Sequence, residues 1–485
     1  MPQSSFGEQK LTGKIDDEHV EYTYAGEKDG NLRWRVVSTG EERILDSGRV
    51  IALIERDGPN GVSLDANVDY TILHMTTGHS DPEDEKQNFS LESTQAAGLP
   101  SGFLNRYLVQ ACPAQFSLGK TDDRTVNFHV IISTRSGTGF AQAFLLDVVE
   151  PTLFALSLSR DAYEVHETRS DQTITELARS MFVPRANEGI RQTIILLSGD
   201  GGMVDVINVL LSFPSRTRYV KPIVGLLALG TGNALAHSIN PRQDSTFGLA
   251  SIVRGTPRPL PTFVVKFSPG SVRLFDGGSR AEPLAKLSTA DGAAPSMYGV
   301  VVCSWGLHAS LVADSDTAAY RKYGAERFQM AAQELLSPTD GTISHRYRGK
   351  VSLLKTTSDG DEAWEPLDRQ EHMYILATLV SNLTKTLMIS PSSKPLDGQL
   401  RLVHFGPIEG DDVMRIMAKA EQGGVHVRED AVGYDDIVGL RIEFEEDDAR
   451  WRRVCVDGNI VQVNKGGWVE VRREPRDVLD IIAAS

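Results

Sequence analysis

Between residues 126 and 240 the same pattern occurs three times: an apolar run of strand character, a glycine-rich turn, then residues at helical spacing. Residues 126–133 (VNFHVIIS) lead into Arg135-Ser136-Gly137-Thr138-Gly139 and an apolar-periodic segment over 140–156. Residues 193–197 (TIILL) lead into Ser198-Gly199-Asp200-Gly201-Gly202, after which Met203, Val206, Ile207 and Leu210 recur at helical spacing. Residues 223–229 lead into Gly230-Thr231-Gly232-Asn233 and the helix-like run ALAHSI. Uninterrupted apolar strands alternating with helices define an α/β region built on a parallel sheet.

A turn between such a strand and its helix presents backbone N–H groups at the positive end of the helix dipole, which is an anion site. One such turn reads as a tight turn and no more. Three in succession point to a nucleotide phosphate. The standard fingerprints do not account for them. Gly119-Lys120-Thr121 resembles the end of a Walker A loop, but Ala114 stands at the first glycine position and no strong apolar strand precedes it. In the dinucleotide fingerprint, Leu235 falls where a third small residue packs on the sheet. Protein-kinase and serine-hydrolase motifs are absent. Asp200 is the informative residue. A carboxylate inside a phosphate-cradling loop repels the phosphate unless it ligates Mg²⁺ or takes a proton from an acceptor hydroxyl. A turn or N-cap aspartate is the alternative.

The flanks differ from this region. Residues 15–130 contain short strand-like runs punctuated by Gly26, Gly30, Gly40 and Gly58, with a polar, acidic loop expected over 77–102. After residue 258 many short strands predict an antiparallel sandwich or barrel, with 270–295 expected to carry little fixed structure. A chain of 485 residues accommodates three such units: a β-rich N-terminal module (1–125), an α/β domain (126–255) and a β-rich domain (256–485). The net charge of −15 argues against a broad nucleic-acid face, and Cys112, Cys303 and Cys455 offer neither a disulfide framework nor metal spacing. Residues 1–10 lack the apolar core of a signal peptide. The longest apolar stretch, 298–313, is broken by Ser304, His308 and Ser310 and is too short to span a bilayer. A cytoplasmic protein is expected.

The loops at 197–201 and 230–236 resemble those of the diacylglycerol kinase catalytic-domain superfamily, and within it the sphingosine kinases. Ser304-Trp305-Gly306, Asp314, residues 320–328 (YRKYGAERF), Tyr347-Arg348-Gly349 and Asp457-Gly458 follow in the family's order, so the resemblance covers about residues 126–472. It implies an α/β nucleotide domain of the NAD-kinase or phosphofructokinase type followed by an antiparallel β-sandwich that holds a lipid. It further implies ATP and Mg²⁺, a sphingoid base as acceptor, and peripheral contact with an intracellular or plasma membrane. Carried over residue by residue, Arg135, Thr168, Ser198, Gly199, Gly201, Gly230, Thr231, Gly232 and Asn233 would line the ATP site. Arg321 and Arg327 would reach its phosphates, and Asp457 would sit near the nucleotide or its metal. Asp200 would be the general base, and Asp314 would hold the lipid head group. Phosphoryl transfer is mostly positioning and charge stabilisation, which suits such a set of groups.

The chain departs from the family pattern at Ser133 and Thr138 in the first loop, at Gly202, and at Asn459, where a glutamate is usual. The stretch between Gly306 and Tyr320 is also longer than in typical sphingosine kinases, so Asp314 matches when counted back from Tyr320 and Ser310 when counted forward from Trp305. Three readings follow: a sphingoid-base kinase, a diacylglycerol or ceramide kinase of the same fold, and a lipid-binding pseudokinase. For the N-terminal module the readings are a membrane-targeting fold of pleckstrin-homology type and a plain structural extension.

Overall fold

The structure is a computed structural model that describes residues 11–26, 29–56, 69–78, 88–109, 112–116, 127–134, 137, 139–284, 294–324, 326–338 and 343–484, without the side chains of Ala318 and Arg321. At its centre is a sheet in the order Glu164–Glu167, Phe128–Ile132, Thr193–Ser198, Ile223–Ala228, Asp480–Ala483, Thr256–Pro259, the first five strands parallel and the last antiparallel. The 193–198 and 223–228 strands are buried along their whole length. Their side chains alternate between two cores, Ile194 and Leu196 in one, Ile195 and Leu197 in the other. Helices cover both faces, which is why these strands read as continuous apolar runs. Two of the covering helices contain a π turn, at Leu145–Val149 and Ala178–Phe182, each immediately before a segment with proline at its start, Pro151 or Pro184. Proline lacks an N–H and crowds the preceding turn, and a wider turn relieves both.

Beyond the α/β sheet the chain forms two antiparallel sheets. One is ordered Ser296–Gly299, Thr262–Phe267, Trp468–Glu474, Gly439–Phe444, Tyr347–Thr356, Glu362–Pro366. The other is ordered Arg280–Pro283, Val272–Phe275, Asn459–Gln462, Arg453–Val456, Val302–Gly306, Tyr374–Thr378, Leu400–Phe405, Gly433–Ile437. Two corrections to the sequence reading follow. The segment expected to be unstructured over 270–295 contains the hairpin Val272–Phe275/Arg280–Pro283; the remainder, 285–293, lies outside the described residues. The apolar run at 298–305, which reads as one of the short strands expected after residue 258, is two strands, one in each sheet, and the step between them is held by the Asp457 carboxylate. In addition, residues 256–259 and 480–483, which the division at residue 256 put with the C-terminal domain, are strands of the α/β sheet.

The N-terminal module is a sheet in the order Glu42–Leu45, Leu32–Val36, Glu18–Tyr24, Leu11–Ile15, Asn88–Ala97, Asp69–Gly78, Val50–Glu55, Leu108–Val109, antiparallel except for the last pair, with the helix Ser101–Tyr107. The segment 77–102, expected to be a loop, contains the strand Asn88–Ala97, which pairs with Asp69–Gly78 along its length; residues 79–87, with the acidic run, lie outside the described residues. Its outward-facing Ser90, Glu92 and Ser93 made it read as a loop, because a half-exposed strand is defined by its distant partner rather than by its own apolarity. Among the described residues, no helix is long and apolar enough to cross a membrane.

Candidate active site

One glycine from each of the three turns, Gly137, Gly199 and Gly230, meets the others backbone to backbone at the C-terminal ends of the parallel strands, the first two each against Gly230. A methyl group on Gly199 would lie 2.9 Å from the Cα of Gly230, and one on Gly137, which has φ +55°, would lie 2.6 Å from the carbonyl carbon of Gly230. Only glycine permits this approach. Asn233 braces the third turn: its Oδ1 accepts the Gly230 N–H at 2.9 Å, and its Nδ2 donates to the Gly230 carbonyl at 2.8 Å. Asn233 is therefore occupied inside its own loop, and the loop tip, Thr231 and Gly232, is exposed. Gly201 has open space where a side chain would be. It sits in the first turn of the helix Asp200–Ser212, where N–H groups lack helical partners.

Beside these loops runs a cleft of about 1130 Å³ between the α/β domain and the sandwich. Ser133, Thr168, Ser198, Gly199, Gly201 and Asp457 line it. Gly230, Thr231, Gly232 and Asn233 stand outside its wall, in the loop that Gly199 packs against. Thr168 is held by the first loop through the Thr134 N–H to its Oγ1, at 3.1 Å. Arg135 lies outside the described residues, as does the side chain of Arg321.

The other two carried-over residues are engaged elsewhere. Arg327 faces Asp316 at 3.9 Å and lies over the Phe328 ring. Asp314 is bridged by Arg450 at 3.0 Å and Arg453 at 2.8 Å. Neither lines the cleft. Asp457 lines it through its backbone turn, while its carboxylate accepts N–H groups from Val300, Val301 and Val302 at 2.6, 3.0 and 2.6 Å. Burial pushes that carboxyl up to about 6, against the pull of these hydrogen bonds.

Sequence reasoning missed the polar wall opposite the glycine loops. Arg273, on the 272–283 hairpin, donates to the side-chain oxygen of Asn459. Burial raises the carboxyl of Asp205 to about 7, with the Arg273 charge opposing the shift and Asp171 adding to it. Asp171, Asp205, Arg273 and Asn459 all line the cleft, together with Arg169 and Arg179. Asp205 could have been found, since it lies one turn and a half beyond Asp200 on the same helix. Arg273 could not, because its hairpin is framed by a distant strand, Asn459–Gln462.

Asp200 opens the helix Asp200–Ser212, and its carboxylate reaches the start of the helix Ala234–Ile239, where Oδ2 accepts the Leu235 N–H at 3.1 Å. Its Oδ1 is buried without a hydrogen-bond partner. Burial raises this carboxyl to about 7; hydrogen bonds from Leu235, Ala236 and Ala234 oppose the shift and the Asp457 charge adds to it. Asp200 itself stands behind the cleft wall, which its neighbours Gly199 and Gly201 line; one anchored oxygen, one unpartnered oxygen and a pKa near neutrality suit a proton acceptor. The site also fits a hard cation and phosphates: Asp171 and Asp205 supply oxygen donors, and Arg273 and the turn at Gly201 supply anion donors. The group of His129, Glu164 and His166 lies apart from the cleft, and Arg185 already engages the outer nitrogen of His129 at 2.9 Å.

Converging glycine turns, an anchored carboxylate and an arginine-lined cleft thus lie together on an α/β sheet with an attached sandwich. Residues 127–265 match the family model of the diacylglycerol kinase catalytic domain. Sphingosine kinase 1 of Arabidopsis thaliana is 24% identical over 307 residues, 58% of this chain and 57% of that protein. Sphingosine kinase 1 of Homo sapiens is 22% identical over 343 residues, 65% of this chain and 81% of that protein. The chain thus spans little more than half the length of the Arabidopsis relative. A solved diacylglycerol kinase structure from Bacillus anthracis str. Sterne superimposes with a TM-score of 0.47 at 15% identity, covering 75% of this chain and 98% of that one. Residues 127–265 are thus similar to the diacylglycerol kinase catalytic domain, and the relatives that span more of the chain are sphingosine kinases.

Proposed function

We propose that the protein is an ATP-dependent lipid kinase, which transfers the γ-phosphoryl group of ATP to the primary hydroxyl of a long-chain lipid. The observation that carries this reading is the Asp200 carboxylate, with its unpartnered buried Oδ1, at the junction of the glycine turns. In the proposed reaction Asp200 takes the hydroxyl proton as the acceptor oxygen bonds to the γ-phosphorus, and ADP leaves with the electrons of the broken P–O bond. The turn N–H groups and Arg273 would hold the phosphates in line, and Asn459 would orient Arg273. Asp171 and Asp205 would hold Mg²⁺, which offsets phosphate charge when bound.

The sphingosine kinase relatives make a sphingoid base the first acceptor to test. One observation favours a second reading, with diacylglycerol or ceramide as acceptor: two arginines already neutralise Asp314, the group that would otherwise receive the amine of a sphingoid base. Access to either substrate implies transient contact with a bilayer, and with a net charge of −15 this contact rests on local patches. The test is labelled ATP with sphingosine, ceramide and diacylglycerol in mixed micelles, run on wild type and Asp200→Asn. Transfer to none of the three by wild type would overturn the proposal.

A further inference from the structure

The strand Asn88–Ala97 belongs to the N-terminal module, yet its Phe89 is buried in the α/β domain. Its ring meets Phe140, Phe144 and Phe247 at 5.7, 5.4 and 5.4 Å between centroids, all edge to face. Phe144 and Phe247 also touch each other, at 5.4 Å. Two of these partners connect to the glycine turns, Phe140 along the chain and Phe247 by a hydrogen bond. Phe140 directly follows Gly139, and its carbonyl accepts the Phe144 N–H at 2.8 Å to start the next helix. The carbonyl of Phe247 accepts the N–H of Ala228 at 2.9 Å, where the strand before the third turn ends. Phe247 has φ +56°, a conformation a bulky residue keeps only where its surroundings hold it. The first and third turns then meet each other at Gly137 and Gly230.

The rest of the junction fixes this arrangement. Ile51, Ala52, Leu73 and Met75 of the module share one core with Phe144, Val148 and Leu249 of the α/β domain. Arg254 donates to the Ile51 carbonyl at 2.9 Å and to the Arg106 carbonyl at 3.1 Å, and the Ser245 N–H reaches the Gly48 carbonyl at 2.8 Å. A module attached in this way is part of the loop scaffold. We infer that Phe89 is a positioning residue for the nucleotide: through Phe140 and Phe247 it sets Gly137 and Gly230, against which the cleft-lining Gly199 packs, so the N-terminal module completes the ATP site without touching it. This inference rests on the nucleotide reading of the cleft.

The test compares Phe89→Ala with Phe89→Leu and with Phe103→Ala in the full chain. Phe103 is buried in the module's own core against Tyr24 and Tyr107, with the Tyr107 ring between it and Arg254 at the junction. The readouts are Mg·ATP affinity by calorimetry without lipid, the KM values for ATP and for acceptor, and the thermal midpoint. Phe89→Ala is expected to weaken ATP binding and raise its KM roughly tenfold while the acceptor KM stays within about twofold, because small displacements of positioning groups are costly. Phe89→Leu should recover most of that loss. Phe103→Ala should lower the thermal midpoint and leave ATP affinity at the wild-type value. Wild-type ATP affinity in Phe89→Ala would overturn the inference, and so would an equal loss of affinity in Phe103→Ala. If Phe89→Ala does not fold, Phe89→Leu and Phe140→Leu carry the test, and wild-type ATP affinity in both overturns it. A wild-type protein that binds no Mg·ATP would remove the nucleotide reading and the inference with it; wild-type binding shared by the Phe89 variants removes the inference alone.

Discussion

Replacing Asp200 by Asn separates its proposed chemistry from its structural role. The amide oxygen can still accept the Leu235 N–H, so the tie to the helix Ala234–Ile239 survives and only the proton acceptor is lost. Loss of a positioned base lowers turnover by about 10²–10⁴-fold. The stability effect runs the other way. The carboxyl is raised from 3.8 to about 7 in the folded protein, so the folded state holds its proton more tightly than the unfolded chain does. Its contribution is fully present below pH 3.8 and is lost as pH rises towards 7. Three units at about 1.4 kcal/mol each set an upper figure of about 4 kcal/mol for that loss, to be reduced for the partial exposure of the residue. An uncharged Asn avoids it, so Asp200→Asn should melt at least as high as wild type at pH 8, with the difference shrinking towards pH 5. Wild-type turnover should also fall about tenfold per unit as pH drops below 7, following the ionised fraction. The assays are labelled-ATP transfer and thermal unfolding, each across pH 5–8. Full activity in Asp200→Asn would refute the base assignment. A large drop in its melting temperature at pH 8 would refute the account of the raised pKa.

Gly230→Ala places a methyl group into Gly199 and should cost about 1–3 kcal/mol as overpacking, with a raised KM for ATP; denaturant unfolding and ATP titration check both. Asp457→Ala strands three N–H groups at the step between the sandwich sheets. At about 1–3 kcal/mol for each buried donor left unsatisfied, the loss should exceed about 3 kcal/mol in urea unfolding, and a loss below 1 kcal/mol would refute the clamp role. Arg273→Leu should weaken ATP binding by about tenfold or more, because a charge-assisted donor in a partly buried cleft is removed, while Arg273→Lys recovers part of it; unchanged ATP affinity in the leucine variant would remove Arg273 from the phosphate site.

Legibility along the chain followed the distance over which each feature is specified. The strand Thr193–Ser198 and the helix after it were readable, because four consecutive apolar residues and a 3.6-residue period are local signals. The strands Asn88–Ala97 and Val272–Phe275 were not, since their own residues are mostly polar or half-exposed and their partners are remote. The same distance explains Asp457. Its place in a motif is visible in the sequence, but the three amides that take up its carboxylate come from residues 300–302.

Taken alone, the sequence determined that glycine turns end buried parallel strands, and that an aspartate sits in one of them. Those properties follow from side-chain size, period and backbone freedom within a few residues. The tertiary structure decided that the turns touch, that Asp200 is half capped and half free, that Arg273 and Asp205 line one cleft, and that Phe89 of the N-terminal module buttresses two of the turns. Each of these depends on how separate segments pack, and the free energy of packing belongs to pairs of surfaces that no single stretch of chain contains.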